Sequence, residues 1–409
     1  MIPHVLFVDD EPHVLSGLRR MLRPQRSKWR MNFASTGKEA LDVVESDPVD
    51  VIVSDMRMPG MDGSELLQRI ADEHPSTVRL VLSGQSDHER VMRVIGPAHQ
   101  FLSKPCESDV LINTIERVRS LCDQLGNESL RGVVARMECM PSLPGLYRAL
   151  VSELQSDGVS LDRVAALIAE DMAMSAKVLQ LVNSSFFGIP VPVACPKQAV
   201  AMLGLSLLRP LALMAGVFVE YGGKASAYSL EDAVDHGLAV ATLARRIAAE
   251  VGLPTREIDA AYIAGMMHDV GKTVLAINLP DVYQAILQDT QSESIPFWEA
   301  ESQQLGTTHA EIGAHLLTLW GMPHGIVEAV AYHHSPSSAP HPQTRKLDAL
   351  AMVHMADGLV RAKASLKDHT EWADGSAFFD QEYLRETDRE RKLARYWDPA
   401  ESEELNHEP

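Results

Sequence analysis

The sequence predicts an α/β domain built on a parallel sheet, followed by an all-α domain. Short apolar runs alternate with helix-like stretches through the first part of the chain. Runs of this length without polar alternation are typical of parallel strands that are buried on both faces. From Val133 to about Lys363 the composition is helical and no strand alternation is sustained. The length of 409 residues also exceeds that of one average domain.

The first domain is predicted to repeat a strand and a helix five times. The predicted strands are Val5–Val8, Met31–Phe33, Val51–Ser54, Val78–Leu82 and Gln100–Leu102. Helices are expected between them, among them Gly37–Glu45 and Ser64–Asp72, with prolines and glycines at the breaks. A last helix, roughly Ser108–Leu125, carries apolar residues at helical spacing.

Four segments follow from these patterns. They are the α/β domain at 1–121, a linker helix at 122–132, the helical domain at 133–365 and a charged tail at 366–409. The helical segment is dominated by Ala, Leu, Met, Glu and Arg and is interrupted by proline and glycine clusters. The acidic end of the tail is expected to be frayed.

Composition excludes several classes of protein. The net charge of −19 argues against non-specific nucleic-acid binding as the main activity. The four cysteines form no CxxC pair, which argues against a zinc knuckle or a disulfide framework and suits the reducing cytosol. Neither a signal peptide nor a membrane segment is evident, so we expect a cytoplasmic protein.

Five polar residues stand where predicted strands stop, namely Asp9, Asp10, Asp55, Ser83 and Lys104. Ligands of open α/β sheets bind beyond the carboxyl ends of the strands, so these residues should converge on one edge. Three carboxylates together favour a hard cation such as Mg²⁺, and a carboxylate beside that cation can attack a phosphoryl group. Helix capping is an alternative role for the acids, but capping requires neither Ser83 nor Lys104.

Residues 1–121 resemble a response-regulator receiver domain. The resemblance is carried by Val8-Asp9-Asp10-Glu11-Pro12, by Asp55-Met56-Arg57-Met58-Pro59-Gly60-Met61-Asp62-Gly63, by Ser83-Gly84 and by Phe101-Leu102-Ser103-Lys104-Pro105. The family implies a flavodoxin-like, doubly wound (βα)5 fold. It also implies a sensor histidine kinase as the phosphoryl donor. A degenerate receiver is the alternative, although no key position is missing here.

The same resemblance implies a role for each of these residues. Asp55 would be the phosphoacceptor, and Asp9, Asp10 and Asp55 would hold Mg²⁺. Ser83 and Lys104 would contact the phosphoryl group, and Phe101 would be the aromatic switch residue that follows the movement of Ser83.

The helical half contains a second set of possible ligands, which are His236, His268-Asp269, His309, His333-His334 and Asp357. Neutral imidazoles and carboxylates suit Fe, Mn, Zn or Mg. Adjacent His268 and Asp269 could supply one terminal and one bridging ligand of a two-metal hydrolytic site. His309 taken alone is interpreted as a structural histidine.

The order His236, His268-Asp269, Asp357 resembles the HD phosphohydrolase superfamily. The closer resemblance, over about residues 140–357, is to its HDOD branch, and the segments that carry it include Pro141-Ser142-Leu143-Pro144, Ala173–Ser184, Ala199–Gly204 and Leu319-Trp320-Gly321-Met322-Pro323. HDOD domains are generally non-catalytic signalling modules, and many lack the metal ligands. All four ligands are present here, so a second divalent-metal site is a hypothesis. No Gly-Tyr-Pro follows His333-His334, which argues against the HD-GYP phosphodiesterases of cyclic di-GMP.

The sequence therefore predicts a two-component response regulator in which Asp55 switches an HDOD protein-interaction domain. The expected partners are a sensor histidine kinase and a downstream signalling protein, and a second copy of the chain is a further candidate. No basic helix-turn-helix follows Leu121, so DNA binding is not expected. One alternative is a phosphorylation-gated metal phosphohydrolase acting on a nucleotide or cyclic dinucleotide. Another is a scaffold with a silent receiver.

Overall fold

The computed structural model describes residues 2–83, 97–124, 128–137, 140–156, 158–184, 189, 191–213, 219–220, 228–293, 295–340, 347–367, 379–380 and 382–383. The chain divides into two compact units. The first contains Met1–Lys224, Glu299–Thr307 and His315–Pro323, and the second contains Ala225–Trp298, Thr308–Ala314 and His324–Pro409. Most of the predicted tail at 366–409 and part of the predicted linker lie outside the described residues.

The first unit contains a five-stranded parallel sheet in the order β2-β1-β3-β4-β5. Its strands are β1 (His4–Val8), β2 (Arg30–Ala34), β3 (Val51–Asp55), β4 (Val78–Ser83) and β5 (Gln100–Ser103). All residues of β1 and β3 are buried, as expected for central strands covered on both faces. The predicted doubly wound α/β fold is confirmed.

Among the described residues, the helices that accompany this sheet are α1 (Pro12–Met21), α2 (Gly37–Ser46), α3 (Gly63–Glu73) and α4 (Ser108–Gln124). Side-chain caps fix where two of them begin. Thr36 accepts a hydrogen bond from the backbone of Glu39 at α2, and Asp62 accepts one from Glu65 at α3. These caps place the loops that leave β2 and β3 at the carboxyl edge of the sheet.

The rest of the first unit up to residue 220 is mainly helical. Its elements are α5 (Glu128–Arg136), β6 (Pro141–Ser142), α6 (Pro144–Gln155), α7 (Leu161–Ala169), α8 (Met172–Val182), α9 (Pro196–Leu213) and β7 (Val219–Glu220). The parallel pair of β6 and β7 was not predicted. Two residues are too few to produce an alternating pattern.

Within the first unit, the amino-terminal edge of the sheet is hydrogen-bonded to these helices. Arg79 on β4 and His99 before β5 both lie within 3.0 Å of the carbonyl oxygen of Ala135 on α5. The amide of Gln180 on α8 donates to the carbonyl of His99, and Gln100 donates to the carbonyl of Thr318. The sheet and these helices are therefore packed together inside one unit.

The remaining α-helices in the described part of the chain are α10 (Leu230–Glu250), α11 (Thr255–Met267), α12 (Val270–Asn278), α13 (Pro280–Glu293), α14 (Phe297–Leu305), α15 (His309–Leu319), α16 (His324–Tyr332) and α17 (Ala349–Lys367). Helices α10, α11 and α17 pack against one another around buried alanines and methionines of the second unit. The all-α prediction for this region is confirmed. Among the described residues no helix is both long and apolar enough to cross a membrane.

Candidate functional site

The predicted acids meet at the carboxyl edge of the parallel sheet. Asp9 directly follows β1, Asp55 ends β3, and ligand atoms of Asp9, Asp10 and Asp55 lie within 4.8 Å of one another. Asp9 is fully buried, Asp55 is 8% exposed and Asp10 is half-buried. The parallel register aligns Val8 with Ser54, which brings the ends of the two strands together.

Lys104, which follows β5, joins this group through two ion pairs. Its Nζ lies 2.7 Å from Asp9 Oδ2 and 2.6 Å from Asp55 Oδ1. Burial raises the pKa of Asp55, and Lys104 partly opposes that rise. Burial alone lowers the pKa of Lys104, but hydrogen bonds to Asp55 and Asp9 outweigh it and raise that pKa. The ammonium group therefore opposes the effect of burial on Asp55 and lies in contact with both carboxylates.

The two predicted switch residues lie on the neighbouring strands. Ser83 is the last residue of β4 and is in register with Ser103 of β5. Phe101 is in register with Val81 and is only 3% exposed. The structure therefore places all the residues predicted for this site at or near one edge of the sheet.

A second cluster lies in the second unit and contains seven possible ligands in two groups. One group is Asp269, His309, His333 and His334, and the other is His236, His268 and Asp357. Within each group the ligand atoms lie within 4.8 Å of one another. Asp269 links the groups, because its Oδ1 lies 3.1 Å from His309 Nε2 while its Oδ2 lies 3.5 Å from His268 Nε2.

Backbone carbonyls determine which nitrogen of two buried histidines can bind a cation. The Nδ1 of His268 lies 2.7 Å from the carbonyl oxygen of Gly265, and the Nδ1 of His333 lies 2.8 Å from that of Val330. A carbonyl oxygen only accepts, so each Nδ1 carries a hydrogen and the neutral ring has its lone pair on Nε2. Both Nε2 atoms face the cluster.

Three buried atoms of the cluster have no hydrogen-bond partner among the described residues. They are His268 Nε2, Asp269 Oδ1 and His333 Nε2. Buried polar atoms are normally paired, and leaving one unpaired costs about 1–3 kcal/mol. Two imidazole lone pairs and a carboxylate oxygen form a suitable donor set for a divalent transition metal. The residues present therefore fit a metal centre.

Two cations contact the carboxylates of this cluster. Lys272 Nζ lies 2.6 Å from Asp269 Oδ2, and Arg361 Nε lies 2.7 Å from Asp357 Oδ1. Burial alone raises the pKa of each carboxyl group, but Lys272 and Arg361, together with His268, hold both pKa values well below the usual range. Both carboxylates are therefore ionised.

The histidines of the cluster differ in their affinity for a proton. Burial lowers the pKa of His236 and lowers that of His333 to about 4. It also lowers the pKa of His334 well below its usual range. Burial also lowers the pKa of His268, but the charges of Asp269 and Asp357 outweigh burial and raise the pKa of this histidine. A cation bound at His268 would therefore compete with a proton.

Helix starts and a close backbone contact position the ligands. Asp269 precedes α12 and His309 begins α15. A Cβ added to Gly271 would collide with the carbonyl oxygen of His309, so glycine is required where α12 meets the start of α15. This approach brings Asp269 Oδ1 to the His309 ring.

The structure brings together the four residues predicted for the second metal site, namely His236, His268, Asp269 and Asp357. It adds His309, His333 and His334, which the sequence offered as possible ligands without placing them in that set. The interpretation of His309 as a structural histidine does not account for its place beside Asp269. The sequence signal that could have added ligands to the predicted set was the adjacent pair His333-His334.

Comparison with family models assigns both parts of the chain. The response regulator receiver domain matches residues 5–116, and the HDOD domain matches residues 140–336. The chain combines a receiver domain with an HDOD domain. The acidic site at the sheet edge lies in the receiver match, and most of the seven-residue cluster lies in the HDOD match.

Individual relatives of this receiver–HDOD response regulator match only parts of it. An uncharacterized protein of Treponema pallidum is 25% identical over 252 residues, which are 61% of this chain and 48% of that protein. The hydrogenase transcriptional regulatory protein HoxA of Cupriavidus necator is 36% identical over 115 residues, or 28% of this chain and 23% of HoxA. The chain therefore spans about half or less of the length of these curated relatives.

Solved structures resemble the response regulator to a limited degree. The MmoQ response regulator of Methylococcus capsulatus is 22% identical with a TM-score of 0.47, covering 63% of this chain and 97% of that one. The signal receiver domain of an HD domain-containing protein from Pseudomonas fluorescens is 32% identical with a TM-score of 0.27. That match covers 28% of this chain and 85% of that chain.

Proposed function

We propose that phosphoryl transfer from a sensor histidine kinase to Asp55 switches the output of the HDOD domain. The supporting observation is the placement of Asp55 at the end of β3, beside Asp9 and Asp10 and 2.6 Å from Lys104. A carboxylate oxygen of Asp55 would attack the phosphorus of the donor's phosphohistidine. A P–O bond then forms as the P–N bond breaks, and the imidazole leaves.

The neighbouring residues prepare Asp55 for this reaction. Asp9, Asp10 and Asp55 would hold Mg²⁺, which offsets the repulsion between the incoming phosphoryl group and the carboxylates. Lys104 would exchange its ion pair with Asp55 for one with the phosphoryl oxygens. Ser83 would donate its hydroxyl group to the same oxygens, and Phe101 would repack in response.

We propose that the output is a change in protein association. Phe101 follows Gln100, whose side chain is bonded to Thr318, and His99 is bonded to α5 and α8 within the same unit. A change at Phe101 would therefore act on α5 and on two helices of the HDOD match, α8 and α15. The partner would be a downstream signalling protein, and homodimerisation is one route to it.

Labelling with acetyl phosphate tests the assignment of Asp55. With Mg²⁺, the wild-type protein should gain the mass of one phosphoryl group, whereas Asp55→Asn should gain none because its amide is a poor nucleophile. Asp72→Asn, which changes an exposed carboxylate of α3, is the matched control and should label normally. Hydrogen exchange in α5 should change on labelling only in proteins that keep Asp55. Equal labelling of wild type and Asp55→Asn would exclude Asp55 as the acceptor.

A second candidate function is a metal-dependent phosphohydrolase in the HDOD domain. The observation that favours it is the set of three buried, unpartnered ligand atoms on His268, Asp269 and His333. All seven ligands would hold the metal ions, with Asp269 shared between the two groups. Bound metal would polarise a phosphoryl oxygen and lower the pKa of water. Nucleotides and cyclic dinucleotides are the proposed substrates.

Metal content and hydrolysis test this second function. Purified wild-type protein should contain, or take up, a divalent transition metal and should hydrolyse members of a nucleotide panel. Asp269→Asn should lose most of the metal and the activity, because it removes the shared ligand charge. His324→Gln, at a histidine whose side chain is 73% exposed, should behave as wild type. Absence of uptake from added Mn²⁺ or Fe²⁺ would rule out the metal centre, and metal without hydrolysis would rule out the enzyme.

A further inference from the structure

We propose that the two metal positions of the HDOD cluster are unequal, and that Arg361 is a resident cation which a metal must displace from the weaker one. The displaced guanidinium would then bind a phosphoryl oxygen. This inference rests on the second proposed function, because it requires the cluster to bind metal. Beyond that function, the two metal ions would bind in a fixed order, and Arg361 would form a site for a phosphoryl anion.

The hydrogen bonds of the two carboxylates are asymmetric. Asp357 Oδ1 faces His236 Nε2 at 3.1 Å and His268 Nε2 at 3.5 Å, and Arg361 Nε donates to this same oxygen. Asp269 Oδ2, which also faces this group, receives Lys272 Nζ. The oxygens directed at the His236 and His268 group are therefore already bonded to cations.

The other group has no such competitor at its carboxylate oxygen. Asp269 Oδ1 faces His309 Nε2 at 3.1 Å and His333 Nε2 at 3.7 Å, and it has no hydrogen-bond partner among the described residues. A metal bound with His309, His333 and His334 gains this oxygen without displacing a lysine or an arginine. This position should therefore fill first.

The second metal must replace the contact between Arg361 and Asp357 with its own contact to Asp357. Its carboxylate ligand, Asp357 Oδ1, makes a charge-assisted hydrogen bond with Arg361 that would be lost on binding. Two cations already balance the two ionised carboxylates, so each divalent ion adds uncompensated positive charge to a buried cluster. An anion that binds with the second metal would offset this charge.

Arg361 can move from the carboxylate to such an anion. Its side chain is 24% exposed and that of Lys272 is 17% exposed, whereas the His268, His309 and His333 side chains are fully buried. An anion that approaches from solvent can therefore reach these two cations. A guanidinium group matches two oxygens of a phosphoryl group in a bidentate arrangement. The ligand class is a phosphate monoester or diester.

Mn²⁺ titration by calorimetry, with metal analysis after dialysis, tests this order. Wild type should bind one Mn²⁺ tightly and a second more weakly. Arg361→Met should bind the second Mn²⁺ about 10- to 100-fold more tightly, because the metal no longer has to displace a charge-assisted hydrogen bond from Asp357. Arg361→Lys, which keeps a positive charge, should leave the second site weak. Arg246→Met, at an exposed pair with Glu250, is the control for loss of an arginine and should match wild type.

Inorganic phosphate supplies the second arm of the test. It should strengthen binding of the second Mn²⁺ by wild type and have much less effect on Arg361→Met. If Arg361→Met is unfolded alone, Mn²⁺ should restore its thermal transition, and failure to do so at any concentration would overturn the inference. If Arg361→Met and wild type bind two Mn²⁺ alike, this inference fails while the metal centre stands. If no variant binds Mn²⁺, both proposals fail.

Discussion

His268 and His333 illustrate how one backbone hydrogen bond determines what a buried imidazole can bind. Each ring gives its Nδ1 hydrogen to a carbonyl oxygen three residues earlier in the chain, in the last turn of the helix that precedes it. The Nε2 lone pairs then face the cluster without a partner among the described residues. At about 1–3 kcal/mol for each unpaired atom, such an arrangement is costly unless a ligand compensates for it. The tautomers thus favour a cation at this centre.

Sequence reasoning reached some site residues more readily than others. Asp9, Asp55 and Lys104 were predictable because each lies at the carboxyl end of a strand, and parallel strands bring these ends to one edge. His309 begins α15 and His333 directly follows α16, and helical periodicity identifies a buried face without identifying which helices meet. The backbone contact between Gly271 and His309, which brings His309 to Asp269, was therefore available only from the structure.

At the scale of elements, the amino-terminal end of α12 determines the geometry of the cluster. Gly271 allows α12 to touch the backbone of His309, and Asp269 stands two residues earlier. Gly271→Ala would place a methyl group against a carbonyl oxygen, which a rigid backbone can relieve only by moving α12 or α15. We expect a loss of about 1–3 kcal/mol in the free energy of unfolding and weaker metal binding. Chemical denaturation and Mn²⁺ titration would measure the two effects.

Gly325→Ala is the matched control for this substitution. Gly325 lies in the first turn of α16, and nothing approaches an added Cβ there within 4 Å. Alanine is the better helix former, so this change should leave stability unchanged or raise it by up to about 1 kcal/mol. Equal effects of the two substitutions on Mn²⁺ affinity would show that the contact between Gly271 and His309 does not position the ligands.

Strand and helix limits in the receiver show what short-range patterns can predict. Observed β3 is Val51–Asp55 where Val51–Ser54 was predicted, and α3 is Gly63–Glu73 where Ser64–Asp72 was predicted. Apolar runs, caps and glycines act locally, so these limits can be read from neighbouring residues. The two-residue pairing of β6 with β7 joins segments far apart in sequence and has no local signal.

At the scale of the whole molecule, the first compact unit includes both the receiver sheet and helices of the HDOD match. His99 is central to that packing. The backbone N–H of Arg79 can only donate, so His99 Nδ1 accepts from it, and Nε2 carries the hydrogen that is donated to Ala135. Burial, and then the Arg79 guanidinium, hold the pKa of His99 well below its usual range, and His315 and Lys177 act in the same sense. The imidazole therefore stays neutral in the folded unit.

Mild acid should weaken this packing. Above the unfolded pKa of roughly 6.5, His99 is neutral in both states and contributes no pH dependence. Below it, the unfolded segment binds a proton that the folded unit excludes, so stability falls by up to about 1.4 kcal/mol per pH unit. Hydrogen exchange in α5, corrected for the intrinsic rate, should show this loss as the pH falls from about 6.5 toward the folded pKa.

His99→Gln should remove most of that pH dependence. A glutamine amide offers an acceptor for the Arg79 N–H and a donor for the Ala135 carbonyl without titrating in this range. The opening free energy of α5 should then be nearly constant below about pH 6.5, while His13→Gln, at a histidine whose side chain is 79% exposed, should retain the wild-type slope. The same acid slope in wild type and His99→Gln would mean that another group controls it. The packing of the receiver sheet against α5 would then not depend on the protonation of His99.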